Sequence, residues 1–317
     1  MIQSKSKLPP EHRQMFSWEK TLLQSATVLT LALGVPLGVQ AQHMILAWGD
    51  NKPEWRQKIG ISGIRAGCSD APASCARDVD AIESSQQVHM VFLAVRLNDS
   101  SVSYAREYSN LSRSHPALYE VGIDDFVSQA EKLHMDSAHL GGLLNQVIGS
   151  LKSQNANLHF GVTIYDDQLA KELPNLGLNG DFLQQVEFVH LFPHYRKKDL
   201  SDAEYVKQAK AIFPRAQIIG GVYPYDRRDY LPCVRGGSAA CSNEEEVRLF
   251  TEDAQAEVQL LGSGAIAGIE FYPAFFGNEE KWKGWQNPRS CRPERLQECI
   301  ANEKTMRDIL PRIMNVR

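Results

Sequence analysis

Four apolar runs in the second half of the chain, 158–167, 186–196, 217–227 and 266–276, each close on ionisable or aromatic residues. Glu270 stands between Ile269 and Phe271 inside the last of them. A carboxylate in such surroundings pays for desolvation unless it has partners, and burial raises its pKa. That suits acid/base or nucleophilic work; a structural Arg partner is the alternative. Asp166 and Asp167 follow Tyr165 at the end of the first run. Side chains alternate along an extended chain. One of the two, taken as Asp166, faces the strand-end site, and the other caps the helix that follows. Asp226 closes the third run behind Tyr223 and Tyr225. It offers a second carboxylate or a substrate-binding group; with Arg227, Arg228 and Asp229 it also reads as a self-paired surface loop.

Further polar groups sit at the same ends. His194, Tyr195 and Arg196 close the 186–196 run, while His190 within it reads as hydrogen-bonded structure. Asp50 follows Trp48 at the end of an early strand, in a Gly-Asp-Asn context that is also strong turn chemistry. Arg96 and Asp99 end another. Aromatic residues crowd these positions: Trp48, Tyr165, Tyr195, Tyr223, Tyr225, Tyr272, Phe275 and Phe276. Aromatic faces stack on the apolar faces of sugar rings, and carboxylates and Arg bind the hydroxyls. Tyr223-Pro224 and Tyr272-Pro273 both follow apolar strands and suit sharp turns, with a cis bond open at either.

Other chemistries lack their signatures. There is no Gly-x-Ser-x-Gly elbow and no His-Glu-x-x-His. The nine His residues do not fall at ligand spacing. A metal held by Asp166, Asp226, Glu270 and His194 is conceivable, since these come from different strands; the expectation is no metal and no cofactor.

The elements that must position these groups alternate strand and helix. Strands are predicted at 44–48, 61–65 and 88–95 and over the four runs. Helices are predicted at 123–134, 137–153, 244–261 and about 294–310, from their apolar periodicity. Ser201 to Glu204 forms a capping-box pattern that opens another helix, and Gly262 closes the 244–261 helix. Short strands rich in apolar and β-branched residues suit a parallel sheet buried on both faces. Polar groups gathered at their C-terminal ends are how a (β/α)8 barrel builds a site. Seven strands are legible; an eighth near Ala117–Val121, or an irregular barrel, completes the count. A doubly wound sheet is the alternative, but no Gly-x-Gly-x-x-Gly follows the first strand and no phosphate-binding loop motif occurs.

Residues 1–41 read as a signal peptide, leaving 42–317 as a single barrel domain. Lys5, Lys7, Arg13 and Lys20 precede an apolar stretch, 26–39, and Val39-Gln40-Ala41 offers small residues for cleavage. Met15 is an alternative start. An uncleaved anchor is the competing reading; the short apolar core and Pro36 favour cleavage. Of 34 basic and 38 acidic residues, removal of this segment leaves 30 and 36, a net charge of −6. That gives no electrostatic footprint for nucleic acid. No membrane association is expected after cleavage, and the oligomeric state is left open. All six cysteines lie beyond the segment as three close pairs, 68/75, 233/241 and 291/299. An even count in an exported chain suggests disulfides, and local pairing is one scheme among several.

The pattern of carboxylates and aromatics at strand ends resembles the secreted (β/α)8 glycoside hydrolases, at the level of architecture and without a specific family. In many of these an acid/base carboxylate ends strand four and a nucleophilic Glu ends a late strand, often the seventh. On the strands legible here Asp166 ends strand four and Glu270 strand seven. The Asn-Glu pair common at strand four in one large clan is replaced by Tyr165-Asp166-Asp167. The resemblance implies a secreted or periplasmic glycosidase with Asp166 as general acid/base, Glu270 as nucleophile or base, and Asp226 in reserve. Trp48, Asp50, Arg96, Tyr165, His194, Tyr195, Tyr223, Tyr225 and Tyr272 would bind the carbohydrate. The alternatives are a non-catalytic glycan-binding barrel and a metal-dependent phosphoester hydrolase.

Overall fold

A computed structural model describes residues 43–49, 51–68, 71–86, 88–193, 200–223, 243–278, 280 and 296–315. Eight parallel strands close into one barrel in sequence order. They are β1 (Met44–Trp48), β2 (Gly63–Cys68), β3 (Met90–Val95), β4 (Leu118–Ile123), β5 (His159–Tyr165), β6 (Phe188–Phe192), β7 (Gln217–Val222) and β8 (Gly268–Phe271). β1 pairs with both β2 and β8, which closes the ring. The expected (β/α)8 fold is therefore observed, and the doubly wound sheet is excluded.

Numbering only helices of seven residues or more, the connections are α1 (Pro53–Ile59), α2 (Pro72–Gln86), α3 (Ser101–Ser114), α4 (Phe126–Lys132), α5 (Ser137–Leu151), α6 (Asp202–Ile212), α7 (Asn243–Gly262) and α8 (Leu296–Met314). Ser201 and Glu204 do form the capping box that opens α6, and the side chain of Asp136 caps α5 by accepting from Ala138 and His139. No helix among the described residues is long and apolar enough to cross a membrane.

The structure corrects the strand count. The strand missing from the seven legible ones is β4, close to the 117–121 option, and it runs on to Ile123. Asp166 therefore follows the fifth strand and Glu270 lies on the eighth. Residues Ile123 to Asp125, predicted as helix, belong to the end of β4 and its turn; α4 begins only at Phe126. Ile123 had fitted the helical period because the outer face of a barrel strand is as apolar as the inner face of a helix.

The outer sheet face and the helices form the main core, including Ile45, Val91, Val121, Val162, Val189 and Ile269. Inside the barrel, side chains two apart on each strand point inward and stack in layers. The lowest is apolar: Met44, Leu46, Phe92, Phe188 and Ile219. The next holds Arg65, Glu120, His190 and Glu270, all at most 1% exposed. Glycines make room for it: a Cβ on Gly161 would lie 2.2 Å from Glu120 Oε1, and one on Gly122 2.6 Å from the same atom.

Cys68 and Cys75 are joined as a disulfide, which ties the end of β2 to α2. That is one of the three local pairs expected from the sequence. Residues 1–42, and so the expected leader and its junction, lie outside the described residues.

Candidate active site

The C-terminal ends of the strands surround a cleft of roughly 370 Å³, open to solvent. Its lining comes from six strands or their ends: Trp48 (β1), Asp124 and Asp125 (β4), Thr163 and Tyr165 (β5), Phe192 (β6), Tyr223 (β7) and Tyr272 (β8). Four aromatic rings make a continuous wall. Trp48 meets Tyr272 edge-on at 4.7 Å, Tyr272 meets Tyr223 at 6.1 Å, and Tyr223 meets Phe192 at 5.2 Å between ring centres. Two contacts join the β1 and β8 ends of this wall. The Ala274 N–H donates to Trp48 O at 2.8 Å, and the Phe276 N–H donates to Asn51 Oδ1 at 2.8 Å. Gly49, at φ +139°, allows that approach; a Cβ there would lie 2.6 Å from Ala274 O. The Tyr272–Pro273 peptide is cis, one of the two Tyr-Pro bonds at which that was open.

Opposite stands the acidic pair Asp124–Asp125. The Asp124 N–H donates to Val95 O at 2.9 Å. Gln129 on α4 clamps the same turn: its Oε1 accepts from Leu97 N–H at 2.5 Å, and its Nε2 donates to Asp124 O. Asp125 takes the left-handed conformation, φ 45°, which Asp tolerates better than most residues. Tyr165 Oη donates to its Oδ1 at 2.6 Å. Burial is the largest influence on Asp124 and pushes its carboxyl above the ordinary range. Arg65 and a Thr163 hydrogen bond oppose the shift, and the Asp125 and Glu270 charges add to it.

Beneath the cleft lies the charged layer. Arg65 Nη1 donates to Glu270 Oε2 at 3.1 Å, and Nη2 donates to Thr163 Oγ1 at 2.5 Å. The guanidinium also sits 5.0 Å from the centre of the Trp48 ring, a cation–π contact. His190 Nδ1 bonds the same Glu270 Oε2, and Nε2 lies 3.0 and 3.1 Å from the two oxygens of Glu120. Burial and the Arg65 charge press His190 toward neutrality, but Glu120 and Glu270 prevail and hold its pKa above the ordinary value. Burial would raise Glu270; Arg65 and His190 outweigh it and hold the carboxylate low. Arg65, His190 and the carboxyl groups of Glu120 and Glu270 thus fill one buried layer.

The residues expected from sequence divide into three groups. Trp48, Tyr165, Tyr223 and Tyr272 line the cleft. Glu270 is fully enclosed below it with Oε2 engaged. Asp166 is in a 3-10 turn, buried, with Oδ1 accepting from the Asp167 N–H at 2.7 Å, and is not part of the cleft lining. Arg96 is exposed and lines a different crevice, beside Asn98, Ser101 and Tyr104 against the outer face of the sheet. Asp50, His194, Tyr195, Tyr225 and Asp226 lie outside the described residues, and so do two of the four groups of the conceivable metal centre. Among the described residues, Asp80, Glu83 and His115 are the potential ligand atoms that converge, at the α2–α3 side, with His115 Nδ1 3.0 Å from Glu83.

Sequence reasoning missed Asp124, Asp125, Thr163, Arg65 and Glu120. The signal for the first two was present: Asp-Asp closes a short apolar run, Val121-Gly122-Ile123, as it does at 166–167. Glu120 inside a strand carries the same mark as Glu270.

No protein-family model and no curated protein matches the chain. Solved structures with a similar barrel include a β-glucuronidase from Bacteroides uniformis (12% identity, TM-score 0.48), covering 74% of this chain and 30% of that one. A chitinase catalytic domain from Pyrococcus furiosus (12%, TM-score 0.44) covers 73% and 83%. The GH53 catalytic domain of Ignisphaera aggregans (12%, TM-score 0.48) covers 74% and 85%. At this distance the likeness is one of fold. The chain spans less than a third of the length of the glucuronidase.

Proposed function

We propose that the chain is a glycoside-hydrolase-like protein that binds a carbohydrate in the rim cleft, with Asp124 as the general acid. The observation that carries this reading is Asp124 itself: a carboxyl at a barrel strand end, in the wall of a cleft faced with aromatic rings, with its pKa pushed up by burial. A carboxyl whose pKa is raised holds its proton to higher pH, as a group that protonates the leaving oxygen of a glycosidic bond must. The arc Trp48–Tyr272–Tyr223–Phe192 offers flat faces for sugar rings. Hydrolysis also needs a second carboxylate to attack or to activate water. Asp226, which ends the β7 segment in sequence, takes that role in this reading. The acid role expected of Asp166 passes to Asp124, and the role expected of Glu270 passes from attack to support. The leader-like segment and the Cys68–Cys75 disulfide support export to an oxidising compartment.

The test is a panel of poly- and oligosaccharides treated with the wild type and Asp124→Asn. Reducing ends released by the wild type and lost in the variant support the reading; equal release by both overturns it. The enclosure of Glu270 by Arg65 and His190 favours a second reading, a glycan-binding barrel without turnover. Saturable glycan binding with no cleavage by the wild type would select it.

A further inference from the structure

Two carboxyls share one cleft at the end of β4. Adjacent side chains on an extended strand point to opposite sides, yet Asp124 and Asp125 both line the cleft. Asp125 does so at φ 45°, a conformation that costs free energy in a residue with a Cβ and that gathers at ligand-binding positions. The turn is held there from two sides. The Gln129 N–H donates to Asp125 O at 3.0 Å, and Tyr165 Oη donates to Asp125 Oδ1 at 2.6 Å. No other hydrogen bond reaches that carboxyl among the described residues, so Oδ2 is open to a ligand.

The two acids face aromatic rings and, among the described residues that line the cleft, no base. Trp48, Tyr223 and Tyr272 are half-buried, which leaves part of each ring exposed on the cleft. The face of an aromatic ring is electronegative and attracts cations. This wall already carries one. The Arg65 guanidinium lies 5.0 Å from the centre of the Trp48 ring, its charge met by Glu270 at 3.1 Å. Carboxylates on one side and ring faces on the other suit an organic ammonium group. A metal ion fits less well, because calcium and magnesium need a full shell of oxygen ligands and ring faces supply none. A sugar acid fits worst, since its carboxylate would be set against two others.

We propose that the rim cleft is selective for a cationic sugar: an amino sugar whose ammonium group is held by Asp125 against the aromatic wall. The inference rests on the rim cleft as a glycan site and names the substrate class of that site. Asp125 is then the specificity-determining carboxyl, with a role separate from that of Asp124. One carboxyl protonates the leaving oxygen; the other selects the sugar.

The experiment is calorimetric titration of the full chain at mildly acidic pH, where a sugar amine is protonated. The probes are tetramers of glucosamine and of N-acetylglucosamine, which share ring and linkage and differ in charge, and tetramethylammonium, a cation without a sugar. The wild type should bind the glucosamine tetramer about tenfold more tightly than the acetylated one, a difference within reach of one desolvated cation–π contact. Asp125→Asn keeps a residue that tolerates positive φ and an oxygen for Tyr165, and removes the charge. It should bind the two tetramers alike. Equal binding by the wild type, tighter binding of the acetylated tetramer, or a preference that survives in Asp125→Asn overturns the selectivity and leaves the glycan reading standing. If Asp125→Asn does not fold, the wild-type preference alone decides. Binding of tetramethylammonium with no binding of either tetramer supports the cation site and overturns the glycan reading. No binding of any of the three probes overturns both.

Discussion

Arg65 and Glu270 stand 205 residues apart in sequence and meet in the barrel interior, guanidinium nitrogen to carboxylate oxygen, at 3.1 Å. Their side chains are fully enclosed. Removing one partner leaves the other charge buried, which costs about 3–5 kcal/mol. Arg65→Met should therefore lower unfolding stability by about that amount. Urea denaturation followed by circular dichroism measures it, and a loss within experimental error would mean the pair is not closed in solution.

The same layer gives stability a pH window. The pKa of His190 is raised in the folded state. Its contribution is complete below the ordinary His value of 6.5 and is lost as pH rises through the raised folded value. Glu270 is lowered, so its contribution is present above its ordinary value of 4.5 and is lost as pH falls. His190→Gln should remove the alkaline decline. Denaturant midpoints collected across pH, wild type beside variant, are the check; parallel curves would contradict the assignment.

At the opposite, N-terminal face of the barrel, Glu187 binds Lys152 at 2.6 Å, His159 at 3.0 Å and the Phe160 N–H at 2.9 Å. Partial burial pushes its pKa up, but these bonds prevail and bring it down to about 2. Stability from this group is present above its ordinary value of 4.5 and is lost as pH falls toward 2. Glu187→Gln should flatten that part of the acid-unfolding curve. Because Glu187 is 34% exposed, solvent screening keeps the effect small.

Gly161 faces the Glu120 carboxyl, and an added Cβ would lie 2.2 Å from one oxygen and 2.7 Å from the carboxyl carbon. Gly161→Ala must displace Glu120 from His190. Overpacking of this kind costs about 1–3 kcal/mol. A lower thermal midpoint for this variant is the expected result, and an unchanged midpoint would show that Glu120 has room to move.

The barrel was legible because β5 to β8 carry apolar runs with aromatic and ionisable residues at their ends. β4 was the hard strand. Its inward residues are Glu120 and Gly122, so it lacks a continuous apolar face, and Ile123 extended the helical period of Phe126, Val127 and Ala130. Losing the end of β4 meant losing Asp124 and Asp125. The aromatic wall was half legible: Trp48, Tyr165, Tyr223 and Tyr272 announce themselves at strand ends, whereas Phe192 reads as core. The pairing of Arg65 with Glu270 was not legible, since nothing local to Ile64-Arg65-Ala66 says which strand closes the barrel beside it. Glu270 was correctly marked as a buried carboxylate in need of partners. Which partners it has decides what it does.

The central claim is that Asp124 is the acid of a sugar-binding cleft. The most direct test is the rate of glycan hydrolysis by wild type and Asp124→Asn across pH, on any glycan from the panel that the wild type cleaves. Loss of a general acid lowers rates by roughly 10²–10⁴-fold. The account predicts a loss of that order in Asp124→Asn, with the alkaline limb of the wild-type profile following the ionisation of Asp124. A variant that cleaves the same glycan at the wild-type rate, with the same pH profile, would contradict it.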